Sequence, residues 1–221
     1  SSSSTITTVS ESEDLGDEVD LSQGVNKTNK AGDTSLMIAA FDGDLEAVEK
    51  LVKKGAAINA RGKNGWTALS VACVQGNTEV VEYLLSKGAR TTIKDDNNVA
   101  PLSYAILFEQ NEIAMMLSEK GAKPDTQEKD GWSPLMFASL YGFSEITEAL
   151  LQKGANPNLQ NKDGNTALML AIENEATDIA EMILTKKVDL SLKNKAGKTA
   201  LMLAKEAEME VRYLIKLDKM K

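Results

Sequence analysis

The chain has 221 residues, a formal net charge of −8, 42% hydrophobic content and 5% aromatic residues. It contains no histidine and a single cysteine, Cys73, which excludes imidazole-activated nucleophiles, a His/Cys zinc site and an internal disulfide. No apolar stretch approaches the ~18 residues that a membrane-spanning helix requires.

Residues 1–28 differ in material from the rest. They open on Ser1-Ser2-Ser3-Ser4 and carry Glu11, Glu13, Asp14, Asp17, Glu18 and Asp20 against one basic residue, Lys27, which gives −5 of the −8 total. Such a segment buries little and reads as an acidic, serine-rich tail. Leu15, Val19, Leu21 and Val25 leave two outcomes open, a short helix capping the array or a solvated strand of chain. A serine-rich start also suits a flexible spacer behind a lipidated cysteine in a bacterial envelope protein, giving an anchored module; an ordinary terminus of a cytoplasmic chain is the alternative.

From residue 29 onward a glycine-type position recurs every 33 residues, at Gly32, Gly65, Asn98, Gly131, Gly164 and Gly197. Leu36, Leu69, Leu102, Leu135, Leu168 and Leu201 keep the same register, as do Ala39, Ala72, Ala105, Ala138, Ala171 and Ala204. A strict period means one supersecondary unit repeated, here over 29–61, 62–94, 95–127, 128–160, 161–193 and 194–221. Within each unit Thr34, Thr67, Ser133, Thr166 or Thr199 stands where a hydroxyl caps a helix start. A second helix comes next, as at Glu79–Leu85, and closes on Gly55-Ala56, Gly88-Ala89, Gly121-Ala122 or Gly154-Ala155.

Departures from the register are specific. The third unit has Asn98 for Gly, which tolerates the left-handed region, and Ala100, which cannot cap. The fifth ends Lys186-Lys187-Val188 in place of Gly-Ala, which predicts a strained or longer helix end with Lys187 in the glycine role. The sixth carries Lys205, Glu206, Glu208, Glu210, Arg212 and Lys216, the charged face expected of a terminal capping unit. Cys73 follows a small alanine on a first helix and reads as a buried structural thiol.

The boxes Thr34-Ser35-Leu36-Met37, Thr67-Ala68-Leu69-Ser70, Ser133-Pro134-Leu135-Met136, Thr166-Ala167-Leu168-Met169 and Thr199-Ala200-Leu201-Met202 resemble the Thr-Pro-Leu-His box of ankyrin repeats, with Met or Ser replacing His. The pattern Gly-Ala-x-x-Asn at 55–59 and 154–158 resembles the same family, and the Met-for-His boxes resemble its bacterial members. The resemblance implies an all-α solenoid of stacked helix-turn-helix units with β-hairpin fingers. It implies a non-enzymatic protein-binding adaptor or inhibitor that works through a concave groove, is monomeric, and needs no cofactor or metal. A passive spacer is the competing class, since the scaffold by itself names no partner.

The resemblance places Trp66 and Trp132 at fingertips, and Phe41, Phe108 and Tyr141 at first-helix ends, where they would face the groove together with Val74, Val99, Leu107 and Leu140. Trp and Tyr are the residues that most often carry interface energy. Lys30, Arg61, Lys63, Lys94, Lys129, Lys162, Lys193 and Lys195 form a basic edge along the fingertips. Asp95, Asp96, Asp130 and Asp163 interrupt it, which argues against nucleic acid and leaves two readings, a solvated edge of the kind the family's turns carry or a ridge that steers an acidic protein partner.

Overall fold

The computed structural model describes residues 24–220, excluding the side chains of 211–213 and 215. The expectations about a tail helix at Leu15, Val19 and Leu21 and about a lipid tether fall outside the described residues. Val25 lies inside them and packs against the core. Asn26 accepts a hydrogen bond from the backbone N–H of Ala57 at 2.8 Å, so contacts to the array begin upstream of residue 29.

Twelve helices among the described residues form six consecutive pairs: α1 (Ser35–Asp42) and α2 (Leu45–Lys53), α3 (Ala68–Gln75) and α4 (Thr78–Ser86), α5 (Pro101–Leu107) and α6 (Asn111–Glu119), α7 (Pro134–Tyr141) and α8 (Ser144–Gln152), α9 (Ala167–Glu173) and α10 (Thr177–Leu184), α11 (Ala200–Glu206) and α12 (Val211–Lys219). The odd-numbered helices pack on one another in order, and α2, α4, α6, α8 and α10 form a second layer behind them. The register explains both layers. Leu36, Leu69, Leu102, Leu135 and Leu168 are essentially inaccessible, and the matching alanines let neighbouring first helices approach closely. Each such leucine contributes about 2 kcal/mol of burial.

Thr34, Thr67, Ser133, Thr166 and Thr199 each accept from the N–H three residues on, which starts the first helix of five pairs. Ala100 makes no such bond, as its side chain dictates. Asn98 has φ 63°, the left-handed conformation expected of it. Cys73 is fully buried, and burial pushes its thiol well above the ordinary range.

Three expectations are corrected. Strand-paired fingers are absent among the described residues, where one antiparallel bridge joins Thr28 and Thr34. Each finger is instead a tight turn: Asn29, Gly62, Asp95, Glu128, Asn161 and Asn194 donate their N–H to the carbonyl four residues on, at 2.7 to 3.0 Å. Too few residues are available to build a ladder.

Lys187 does not adopt the left-handed φ that glycine adopts at Gly55, Gly88, Gly121 and Gly154. The helix before it, α10, is shorter than its counterparts, with 8 residues against 9. The Thr185 hydroxyl donates to the Met182 carbonyl at 2.6 Å, and the N–H groups of Thr185 and Lys186 bond back to Met182 and Ile183, closing the end early. The same hydroxyl bond, Ser86 to the Tyr83 carbonyl, accompanies a left-handed Gly88 in the second pair; what sets the fifth pair apart is that, among the described residues, Val188 makes no bond back to Ile183 like the one Ala89 makes to Leu84. Nor is α12 purely a charged cap: Leu217 is buried and Leu214 packs against the core.

Candidate partner-binding cleft

The turns preceding the first helices are the most ordered polar feature of the array. In five of the six the first side chain accepts two backbone N–H groups of its own turn: Asn29 Oδ1 from Ala31 and Asp33, Asp95 Oδ1 from Asn97 and Val99, Glu128 Oε1 from Asp130 and Trp132, and likewise Asn161 and Asn194. Gly62 has no side chain to do this. At four of the five junctions one backbone bond then chains successive turns, Asp96 N–H to Asn64, Lys129 to Asn97, Lys162 to Asp130 and Lys195 to Asp163, at 2.9 to 3.1 Å.

This scaffold sets a cleft of about 610 Å³ across the second to fourth pairs. Trp66, Val99, Leu107, Trp132, Leu140 and Tyr141 line it, six of the nine residues expected at a groove. Phe41, Val74 and Phe108 lie outside it; Phe41 is half-buried and Phe108 is 39% exposed at the end of α5. Exposure of Val74 and Val99 is a correction, because both are buried, with Tyr104, beneath Trp66 in a small apolar cluster. They form part of the floor's support. Tyr141 is the most exposed large apolar side chain of the cleft, at 50%.

Two aromatic pairs stand on either side. Trp66 and Tyr104 have ring centroids 4.8 Å apart at 42°, and Trp132 and Phe137 stack at 5.2 Å and 21°. Tyr104 and Phe137 were missed from the sequence, although they occupy one register position 33 residues apart on α5 and α7. Tyr104 also donates its hydroxyl to the Asp95 carboxylate, and burial together with that carboxylate pushes the phenol well above its ordinary range. On the opposite wall, burial raises the Glu128 carboxyl above its usual value, against the lowering effect of its two backbone donors.

All eight residues of the basic edge are exposed. Arg61 is nonetheless engaged, with its guanidinium bonded to the Lys94 carbonyl at 3.0 Å and to Asp96 at 3.3 Å. Gln127 and Gln160 make the same turn-to-turn bridge in later pairs. Lys162 lies 3.8 Å from Asp130. Lys30, Lys63, Lys94, Lys129, Lys193 and Lys195 enter no ion pair among the described residues.

No group of metal-ligating side chains occurs among the described residues, and none of their helices is long and apolar enough to cross a membrane. A comparison with curated proteins gives no match. The family described as Ankyrin repeats (3 copies) matches residues 18–95, 36–128 and 102–194, together covering most of the chain. Helix pairs stacked in two layers, capped in register and joined by tight turns, are the architecture that match implies, and the chain belongs to the ankyrin-repeat family.

Proposed function

We propose that the protein is a non-catalytic adaptor or inhibitor that seats a segment of a protein partner in the cleft between the second and fourth helix pairs. Ankyrin repeats are in general protein-interaction modules. The observation that carries the specific reading is that both tryptophans of the chain, with the half-exposed Tyr141, line one open cleft. A passive spacer has no use for such a surface, whose aromatic area is the kind that supplies binding energy. The six lysines without ion pairs along the turn edge would speed the approach of an acidic flank of the same partner, giving an association rate that falls with salt.

The test uses displayed peptide libraries selected on the whole chain. Enriched peptides should shift the emission of Trp66 and Trp132 on titration, and Tyr141→Ala should weaken them by about 1–2 kcal/mol without altering the far-ultraviolet circular dichroism. Peptides that bind without disturbing tryptophan emission and tolerate Tyr141→Ala would move the binding surface elsewhere.

A further inference from the structure

The residues that anchor the turns carry a distinction that their structural task does not require. Anchoring needs one acceptor oxygen, and asparagine supplies it at Asn29, Asn161 and Asn194. Only the third and fourth turns use carboxylates, Asp95 and Glu128. Both turns line the cleft, together with the second turn, whose anchor position is Gly62. The second oxygen of Asp95 takes the Tyr104 hydroxyl. Glu128 spends Oε1 on two backbone donors, lines the cleft itself, and has no ion pair among the described residues.

Glu128 stands at the foot of the stacked Trp132 and Phe137 rings, since the N–H of Trp132 is one of its two donors, at 2.9 Å. Aromatic faces beside a half-buried carboxylate make a site for a delocalised cation, with the ring quadrupole attracting it from one side and the carboxylate bonding it from the other. A guanidinium suits this better than an ammonium, because it is planar, stacks on rings and sheds water more readily.

We infer that the cleft recognises an arginine side chain on an extended peptide segment, with the guanidinium stacked against Trp132 and Phe137 and bonded to Glu128. The inference rests on the cleft being the partner-binding site and specifies the chemistry of its occupant. Desolvation and the charge of Asp130 raise the Glu128 carboxyl against its two backbone donors and the more distant Lys162, and a cation bonded directly to it would offset that rise further. Lys129 and Lys162 set the selectivity. Their charges flank the site along the turn edge, so they disfavour a polybasic run and favour a single arginine with neutral or acidic neighbours.

The decisive variant is Glu128→Gln. Its amide oxygen can still accept from Asp130 and Trp132, so the turn is preserved while the charge is removed. Whole protein is titrated with the peptide acetyl-Pro-Leu-Arg-Leu-Pro-amide and with versions carrying citrulline, lysine or glutamate in place of arginine, read by tryptophan emission. The arginine peptide should saturate and bind about tenfold tighter than the citrulline isostere. Glu128→Gln should remove that preference while melting at the wild-type temperature. Equal binding of arginine and citrulline peptides, or an undiminished arginine preference in Glu128→Gln, overturns the arginine assignment. Saturable binding of the glutamate peptide alone would overturn it while leaving the cleft as the binding site. Failure of every peptide to change emission up to millimolar concentration would overturn both.

Discussion

Replacing Ala100 with serine should stabilise the array, and the surrounding geometry sets the size of the gain. Ala100 has φ −90° and ψ 161°, within a few degrees of Ser133 at −91° and 163°, so the backbone already has the shape of a capped helix start. Both positions precede a proline at the first helical residue, and the Ser133 hydroxyl is accommodated at 1% exposure. A full cap contributes about 1 kcal/mol. The gain here is smaller, because the Ser103 N–H has already turned to the Ala100 carbonyl at 3.1 Å, a partial substitute for the missing hydroxyl. About 0.5–1 kcal/mol remains, which for a chain of this size raises the melting temperature by roughly 1–4 °C. Ser103 can complete a reciprocal pair with the new serine, as Ser70 does with Thr67. Urea unfolding monitored by far-ultraviolet circular dichroism should show a higher midpoint at unchanged slope, and the Ser103 amide should exchange more slowly. An unchanged midpoint together with unchanged Ser103 exchange would refute the reasoning, because the hydroxyl would then not have displaced the carbonyl.

The same geometry sets other expected outcomes. Glu109, Glu175 and Glu208 have φ near 50°, in register with Gly43, Gly76 and Gly142, so Glu109→Gly or Glu175→Gly should gain about 0.5 kcal/mol in urea unfolding as left-handed strain is relieved against the entropy cost of glycine. Lys187→Gly should gain nothing and lose a few tenths of a kcal/mol, since Lys187 is outside the left-handed region. Asp33 is buried, its Oδ2 has no hydrogen-bond partner among the described residues, and burial raises its carboxyl. The raised folded value means the ionised form is the disfavoured one, so the contribution of Asp33 to stability should increase as pH falls through that value toward about 4. Asp33→Asn should remove that contribution and gain about 1 kcal/mol at pH 7 in calorimetry; a variant whose stability relative to wild type does not change between pH 7 and about 4 would contradict it.

The repeat register made most of the fold legible, because cap hydroxyls, core leucines and close-approach alanines each fix a local geometry independently of partners. Ala100 and Asn98 behaved as their side chains dictate for the same reason. Lys187 did not, because a helix end can close in more than one way, and without glycine at this position the chain leaves the helix through Thr185 and Lys186 instead of turning back through the left-handed region. The left-handed glutamates were readable from their alignment with Gly43, Gly76 and Gly142, but a glutamate carries no local signal that it occupies a glycine position. In the cleft, the positions of Trp66, Trp132 and Tyr141 followed from the family resemblance. The burial of Val74 and Val99 did not, since it depends on which way Trp66 leans, and that is decided by Tyr104 and the carboxylate that holds its hydroxyl.

The third helix pair collects several departures at once. It lacks the cap hydroxyl at Ala100, holds Glu109 in a left-handed turn, and follows a unit with Thr92 at the position where Asn59 and Asn158 strap the end of the next helix pair through Gly88, Arg90, Lys187 and Asp189. In a stack whose units touch only their neighbours, the weakest unit decides where cooperativity breaks. The third pair should therefore be the most compliant part of the array, and the cleft spans it, with Trp66 before the second pair's first helix and Trp132 before the fourth's. A segment gripping both walls would act as a splint. Occupancy would then be felt at the two ends of the array as a gain in stiffness, and unfolding that starts in the centre of the empty protein would proceed in the bound one as a single event.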